Sequence, residues 1–255
     1  MLRRLIKRLI APARRAAARF AHDPDRRFQQ TIGDHGCLRV AAAHIAWNQI
    51  EGDYLEFGVW RGASLAEAYH AITWNRDVVQ AAMRSRASDP AFERWAAVLP
   101  RCFAFDSFAG LPAGAADRQI DYQAGAYACA EPEFLSNVTR AGVPRERVVT
   151  VPGFFDRSLT DEVRTRHRLT RAAVVMIDCD LYESTVPVLD FITPLVSQGT
   201  VLIFHDWYRF KGSRDRGEQR AAREWLARNP GLELEPWWQE TAQAKAFLVH
   251  DRRSA

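Results

Sequence analysis

Four ionisable side chains stand directly behind short apolar runs, where a strand would end. Asp106 follows Cys102-Phe103-Ala104-Phe105, Asp178 follows Ala173-Val174-Val175-Met176-Ile177, and His205-Asp206 follow Val201-Leu202-Ile203-Phe204. Asp180 lies two residues beyond Asp178. Grouped carboxylates of this kind suit a hard divalent cation, which relieves the repulsion between them. Such an ion binds a hydroxyl, lowers its pKa and holds its oxygen in line with an electrophile. Mg2+ is the simplest choice for oxygen ligands, although an imidazole such as His205 is not what a magnesium site prefers. A salt-bridge and capping network without metal is the alternative reading.

A second constellation precedes these. Glu56-Phe57-Gly58-Val59-Trp60-Arg61-Gly62 sets two glycines four apart between a short apolar run and a helical pattern, where a missing Cβ lets the backbone approach a ligand. The spacing is neither GxGxxG nor a Walker loop, so no pyrophosphate site is implied. Asp106, at the end of the next run, is placed to accept hydrogen bonds from the two ribose hydroxyls of a nucleoside cofactor. An ordinary strand-to-helix turn and a helix-capping Asp106 remain the alternatives.

The elements needed to position these residues follow from periodicity. Tyr54 to Val59, Arg101 to Phe105, Val148 to Val151, Ala173 to Ile177, Thr200 to Phe204 and Ala246 to Val249 read as strands, with helices over Ala63 to Trp74 and Val186 to Val196. Continuous apolar strands joined by helices predict an α/β fold with a doubly wound, mostly parallel sheet, whose ligands bind beyond the carboxyl ends of the strands. Residues 113–130 are rich in Ala and Gly and read as mobile.

A chain of 255 residues with 47% hydrophobic composition is long enough for one substantial core. The predicted organisation is a basic amphipathic arm, residues 1–34, and one domain, residues 35–255. Seven of the 35 Lys and Arg precede the first acid, Asp23, so the formal charge of +4 belongs to the arm and the body is slightly acidic. Nucleic acid is therefore not an expected partner. Three readings of the arm stand open: a helix packed on the body or on a second subunit of a homodimer, an anchor to an anionic membrane surface, or a transit peptide. Cys37, Cys102, Cys129 and Cys179 show no CxxC spacing and read as reduced thiols of a cytoplasmic protein, at most peripheral to the inner membrane face. No run approaches the ~20 apolar residues of a membrane span.

Four ordered segments carry a resemblance: Leu55 to Gly62, Asp106-Ser107-Phe108-Ala109-Gly110-Leu111-Pro112, Val151 to Leu159, and Ile177-Asp178-Cys179-Asp180-Leu181-Tyr182-Glu183-Ser184-Thr185. Over residues 50–250 the chain resembles the macrocin O-methyltransferase (TylF-type) family. The resemblance implies a Rossmann-like class I methyltransferase fold dependent on S-adenosylmethionine (SAM), with an antiparallel last strand. It also implies Mg2+ dependence and a small-molecule or glycan acceptor, methylated on a sugar hydroxyl beside a second hydroxyl. By position, Glu56, Gly58 and Gly62 would form the first SAM loop, Asp106 with Ser107 the ribose contact, and Gly153 with Phe154 the adenine surround. Asp178 and Asp206 would be metal ligands and Asp180 the general base. The family's paired acids appear here as His205-Asp206, so His205 is carried over as a ligand less safely than Asp206. Two rivals use the same residues: a metal-independent methyltransferase with His205 as base, and a non-catalytic SAM-binding or scaffolding protein. Trp207, Tyr208, Trp237 and Trp238 either stack on a sugar or pack in the core or an interface, Ser184 and Thr185 read as a capped helix start, and His70, His167 and His250 read as structural.

Overall fold

The computed structural model describes residues 36–83, 89–113, 122–239 and 242–253. The expected arm lies outside them. Seven strands, β1 (Asp53–Phe57), β2 (Cys102–Asp106), β3 (Val148–Pro152), β4 (Ala172–Ile177), β5 (Val201–Phe204), β6 (Leu232–Gln239) and β7 (Lys245–Asp251), form one sheet in the order β3-β2-β1-β4-β5-β7-β6. β1 to β5 are mutually parallel, and β7 runs antiparallel to both β5 and β6. This is the doubly wound sheet with an antiparallel end that the sequence predicts.

Side chains alternate between two buried layers. Tyr54, Cys102, Ala104, Val174, Met176 and Ile203 face the helices Gly36–Trp47 and Ala63–Met83. Leu55, Phe57, Phe105, Val175, Ile177 and Leu202 face the helices Tyr182–Ile192 and Gly217–Arg228. Every residue of β4 is buried, as a strand covered on both faces must be. The register then determines where the chemistry sits. Phe57 pairs with Phe105 and with Ile177, and Ile177 pairs with Phe204. The next residue on each strand, Gly58, Asp106, Asp178 and His205, therefore emerges at one level along the carboxyl edge.

Several boundaries differ from those read off the sequence. The helix predicted to end at Trp74 continues to Met83. Its core stripe carries Arg76, which is buried because its guanidinium donates to the carbonyls of Trp95 and Val98 and stacks on the Trp95 ring. A cation at a core position breaks the apolar period. The helix expected from Val186 begins at Tyr182, because its first turn is polar, and it ends at Ile192. β6 was not foreseen: it is the sheet's edge, largely exposed, and contains Pro236, which an edge strand tolerates. The reading of 113–130 as mobile is corrected for 122–130. That strap is tied to Leu111 through Leu111 N–H to Ala126 O at 3.0 Å and Gly125 N–H to Leu111 O at 2.9 Å. Tyr122 and Cys129 within it are buried. All four cysteines are free and buried. No helix among the described residues is long and apolar enough to cross a membrane.

Candidate active site

A cavity of about 750 Å³ opens along this carboxyl edge, and the two constellations share it. Gly58, Gly62, Asp106, Ser107, Gly153 and Phe154 line one end, and Asp178, Asp180, His205 and Asp206 line the other. Of the residues the sequence assigned to cofactor, cation and base, only Glu56 is not at its wall.

The turn after β1 is built around missing side chains. A Cβ on Gly58, at φ +87°, would lie 1.9 Å from the carbonyl oxygen of Asp178, and one on Gly62 would strike Val138 and Phe134. The turn after β1 thus rests directly on the end of β4. Asp106 organises the turn: its Oδ2 accepts from the N–H groups of Val59 at 2.8 Å and Trp60 at 3.2 Å, and its Oδ1 from Phe108 N–H at 2.7 Å. It caps no helix. A carboxylate has about four acceptor sites, so this arrangement leaves room for about one further donor, not the two ribose hydroxyls expected. The Ser107 hydroxyl donates to Gly110 O and accepts from Ala109 N–H, shaping the loop below the cavity. Gly153 N–H donates to Asp106 O, which brings the β3 turn to the same wall.

Glu56 lies fully buried beneath the turn, where Tyr54 Oη donates to it at 2.5 Å and Ser64 Oγ also donates. Its place is corrected from cofactor contact to support, since Ser64, not Glu56, reaches the cavity. Burial pushes the Glu56 carboxyl up to about 8, against the two hydrogen bonds. A carboxyl raised this way keeps its proton on folding while the unfolded chain loses it, so its contribution to stability falls as pH rises from about 5 to 8. We expect the melting temperature of Glu56→Gln to decline less than that of the parent between pH 5 and 8, measured by differential scanning fluorimetry. Parallel curves would show that the carboxyl ionises normally.

At the far end, Asp178 Oδ1 lies 3.0 Å from His205 Nδ1, which is itself 4.0 Å from Asp206 Oδ2. One donor atom from each of the three falls within 4.8 Å of the others. Asp206 is nearly inaccessible, and its Oδ2 is buried without a hydrogen-bond partner. Asp180 enters from a tight turn, in the left-handed region at φ +64°, a conformation Asp tolerates better than most residues and one found at functional sites. Burial, then the carboxylates of Asp206 and Asp178, push Asp180 well above the usual carboxylate range. Burial disfavours a charged His205, but Asp178 foremost, with Asp206 and Asp180, outweighs it and lifts the imidazole to about 10. Crowded carboxylates with one orphaned buried oxygen fit a divalent cation, and the nitrogen in the set admits Mn2+-like ions beside Mg2+.

Three residues of this end were missed. Tyr122 and Arg209 both bond Asp206 Oδ1, at 3.2 Å each, and Glu218 Oε2 accepts from Asp206 N–H at 3.0 Å. Nothing in their sequence surroundings marked them: Tyr122 is one of two tyrosines, with Tyr127, in an Ala/Gly-rich stretch, and Arg209 and Glu218 belong to no pattern. Conversely, the aromatic residues set aside for sugar stacking do not line the cavity. Trp207 packs on Phe204 and Phe247, Trp237 on His44, Tyr208 Oη bonds Gln239, and Trp238 is exposed. Trp60, Tyr127 and Phe154 supply the aromatic walls instead. Ser184 faces the cavity and Thr185 Oγ1 donates to Leu181 O, so neither caps the helix, whose cap position is Leu181. His70 bonds Ala141 O, His250 pairs with Glu235, and His167 meets Phe103 edge-on.

The model of the macrocin-O-methyltransferase (TylF) family matches residues 91–226, more than half of the chain. The chain belongs to the macrocin O-methyltransferase family. It is an O-methyltransferase with SAM as methyl donor. Among curated relatives of this TylF family member is the 8-demethyl-8-(2,3-dimethoxy-alpha-L-rhamnosyl)-tetracenomycin-C 4'-O-methyltransferase of Streptomyces olivaceus, 28% identical over 221 residues, 83% of this chain and 74% of that protein. Another is the demethyldecarbamoylnovobiocin O-methyltransferase of Streptomyces niveus, 28% identical over 195 residues, 73% of this chain and 64% of that protein. The O-methyltransferase NovP shares the fold with a TM-score of 0.61 at 22% identity, covering 84% of this chain and 78% of its own. An O-methyltransferase from Bacillus cereus, solved with S-adenosylhomocysteine (SAH), aligns with a TM-score of 0.51 at 14% identity, covering 94% and 89%.

Proposed function

We propose that this TylF-family enzyme methylates a sugar hydroxyl of a glycosylated metabolite, with a divalent cation, Mg2+ or Mn2+, held by Asp178, Asp206 and His205. The observation that carries the proposal is the single cavity joining the Gly58–Gly62 turn and Asp106 to the three-aspartate cluster. The turn, Asp106 and the loop through Phe154 would seat the donor's nucleoside, with its methyl group directed toward the cluster. Asp180 lines the same space and takes the proton from the attacking hydroxyl. When bound, the cation would grip two neighbouring hydroxyls and acidify the one that reacts. His205 must give up its proton to ligate, so cation affinity should rise with pH. Orientation supplies most of the acceleration, roughly 7–11 kcal/mol in well-aligned systems, because a sulfonium is already a strong methyl donor. The sugar acceptor is supported by the rhamnosyl substrate in the name of the Streptomyces olivaceus relative.

The test uses labelled SAM and rhamnosylated or otherwise glycosylated aromatic metabolites. Exhaustive EDTA treatment should reduce methyl transfer at least about tenfold, and Mg2+ or Mn2+ should restore it. Activity that survives EDTA would favour metal-independent transfer and refute the role assigned to Asp178 and Asp206.

A further inference from the structure

Asp206 takes part in three hydrogen bonds, and one of its carboxylate oxygens has none. Its backbone N–H donates to Glu218 Oε2, and its Oδ1 accepts from both Tyr122 Oη and Arg209 Nε. Its Oδ2, buried and unpartnered, is left toward His205. Arg209 Nε also donates to Tyr122 Oη at 2.7 Å, so the two side chains form one unit against a single carboxylate oxygen. Tyr122 is itself immobilised: its ring is buried with Leu111, Leu181 and Phe210, and Arg209 lies over its face at 5.1 Å. Further along the same strap, Tyr127 meets Trp60 of the cofactor turn edge-on at 5.9 Å.

We propose that Tyr122 and Arg209 are positioning residues for the cation site: by tying Oδ1 of Asp206 they present Oδ2 to the ion, and through Tyr122 they make that presentation depend on the strap 122–130. The proposal rests on the metal reading above. Groups that orient a ligating carboxylate act through its geometry, and their removal typically weakens metal binding 10- to 100-fold. The phenol has one proton, which it can also give to Asp180, within its reach on the other side. The test must therefore show that the effect passes through Asp206.

Mn2+ is titrated into the full chain saturated with SAH, and free and bound ion are read by electron paramagnetic resonance. Tyr122→Phe keeps the ring packing and removes only the hydroxyl; Arg209→Gln removes the charge. Each should raise the Mn2+ dissociation constant about tenfold or more and alter the bound-ion spectrum, with SAH affinity and melting temperature unchanged. In an Asp206→Asn background, Tyr122→Phe should cause no further loss, as expected of residues acting through one group. Mn2+ affinity within twofold of the parent for Tyr122→Phe, or an additive loss with Asp206→Asn, overturns the proposal alone. A parent chain that binds no Mn2+ overturns it together with the metal reading.

Discussion

Asp180→Asn is expected to lower kcat by about 10²- to 10⁴-fold, the range typical of a lost general base, while SAH affinity stays within twofold of the parent. Asparagine preserves the shape of the side chain in its left-handed turn but cannot take a proton. The sign of the stability change is informative. Asp180 is crowded by Asp206 and Asp178, and those two carboxylates, with burial, raise its pKa. Removing one of three mutually repelling groups should leave the melting temperature equal or higher. Steady-state methyl transfer, SAH calorimetry and thermal melting together make the check. A variant that loses SAH binding along with turnover would place Asp180 in the cofactor site and remove it as the base.

Gly58→Ala is expected to cost about 4 kcal/mol or more of stability, the size reserved for a backbone that cannot relax. The new Cβ would sit 1.9 Å from Asp178 O, a backbone atom just past the end of central strand β4, and φ +87° is itself unfavourable for alanine. SAH binding should fall with it, since the turn can recover only by lifting off β4. Gly125→Ala is the matched control: its φ is +78° but nothing lies within 4 Å, so only the dihedral penalty of about 1–2 kcal/mol applies. Urea denaturation with SAH titration compares the two. Equal losses at both positions would mean that contact with Asp178 is not what makes Gly58 necessary.

The same residues show what was legible in advance. Strand ends could be read because a strand buried on both faces is mostly apolar, and the apolar runs here stop at Asp106, Asp178 and His205. Those stops and the glycine pair at 58 and 62 all lie on the cavity wall. Glu56 was legible as present but not in its role, since an acid within β1 looks the same from sequence whether it points to a ligand or into a hydrogen-bonded pocket under it. Tyr122, Arg209 and Glu218 were not legible in their roles. They reach Asp206 from a strap 84 residues before it, from the turn three residues after it, and from a helix 12 residues on, and no periodicity links such positions.

The sequence alone determined the alternation of strand and helix, the family, and which acids end which strands, because these depend on local composition and on order along the chain. Tertiary structure alone decided how those acids are oriented: that Asp106 accepts three N–H groups of its own turn, that His205 leans on Asp178, and that one oxygen of Asp206 is hydrogen-bonded while the other is not. Orientation is set by contacts between segments distant in the chain, and by the burial those contacts create. Residue type and spacing carry neither.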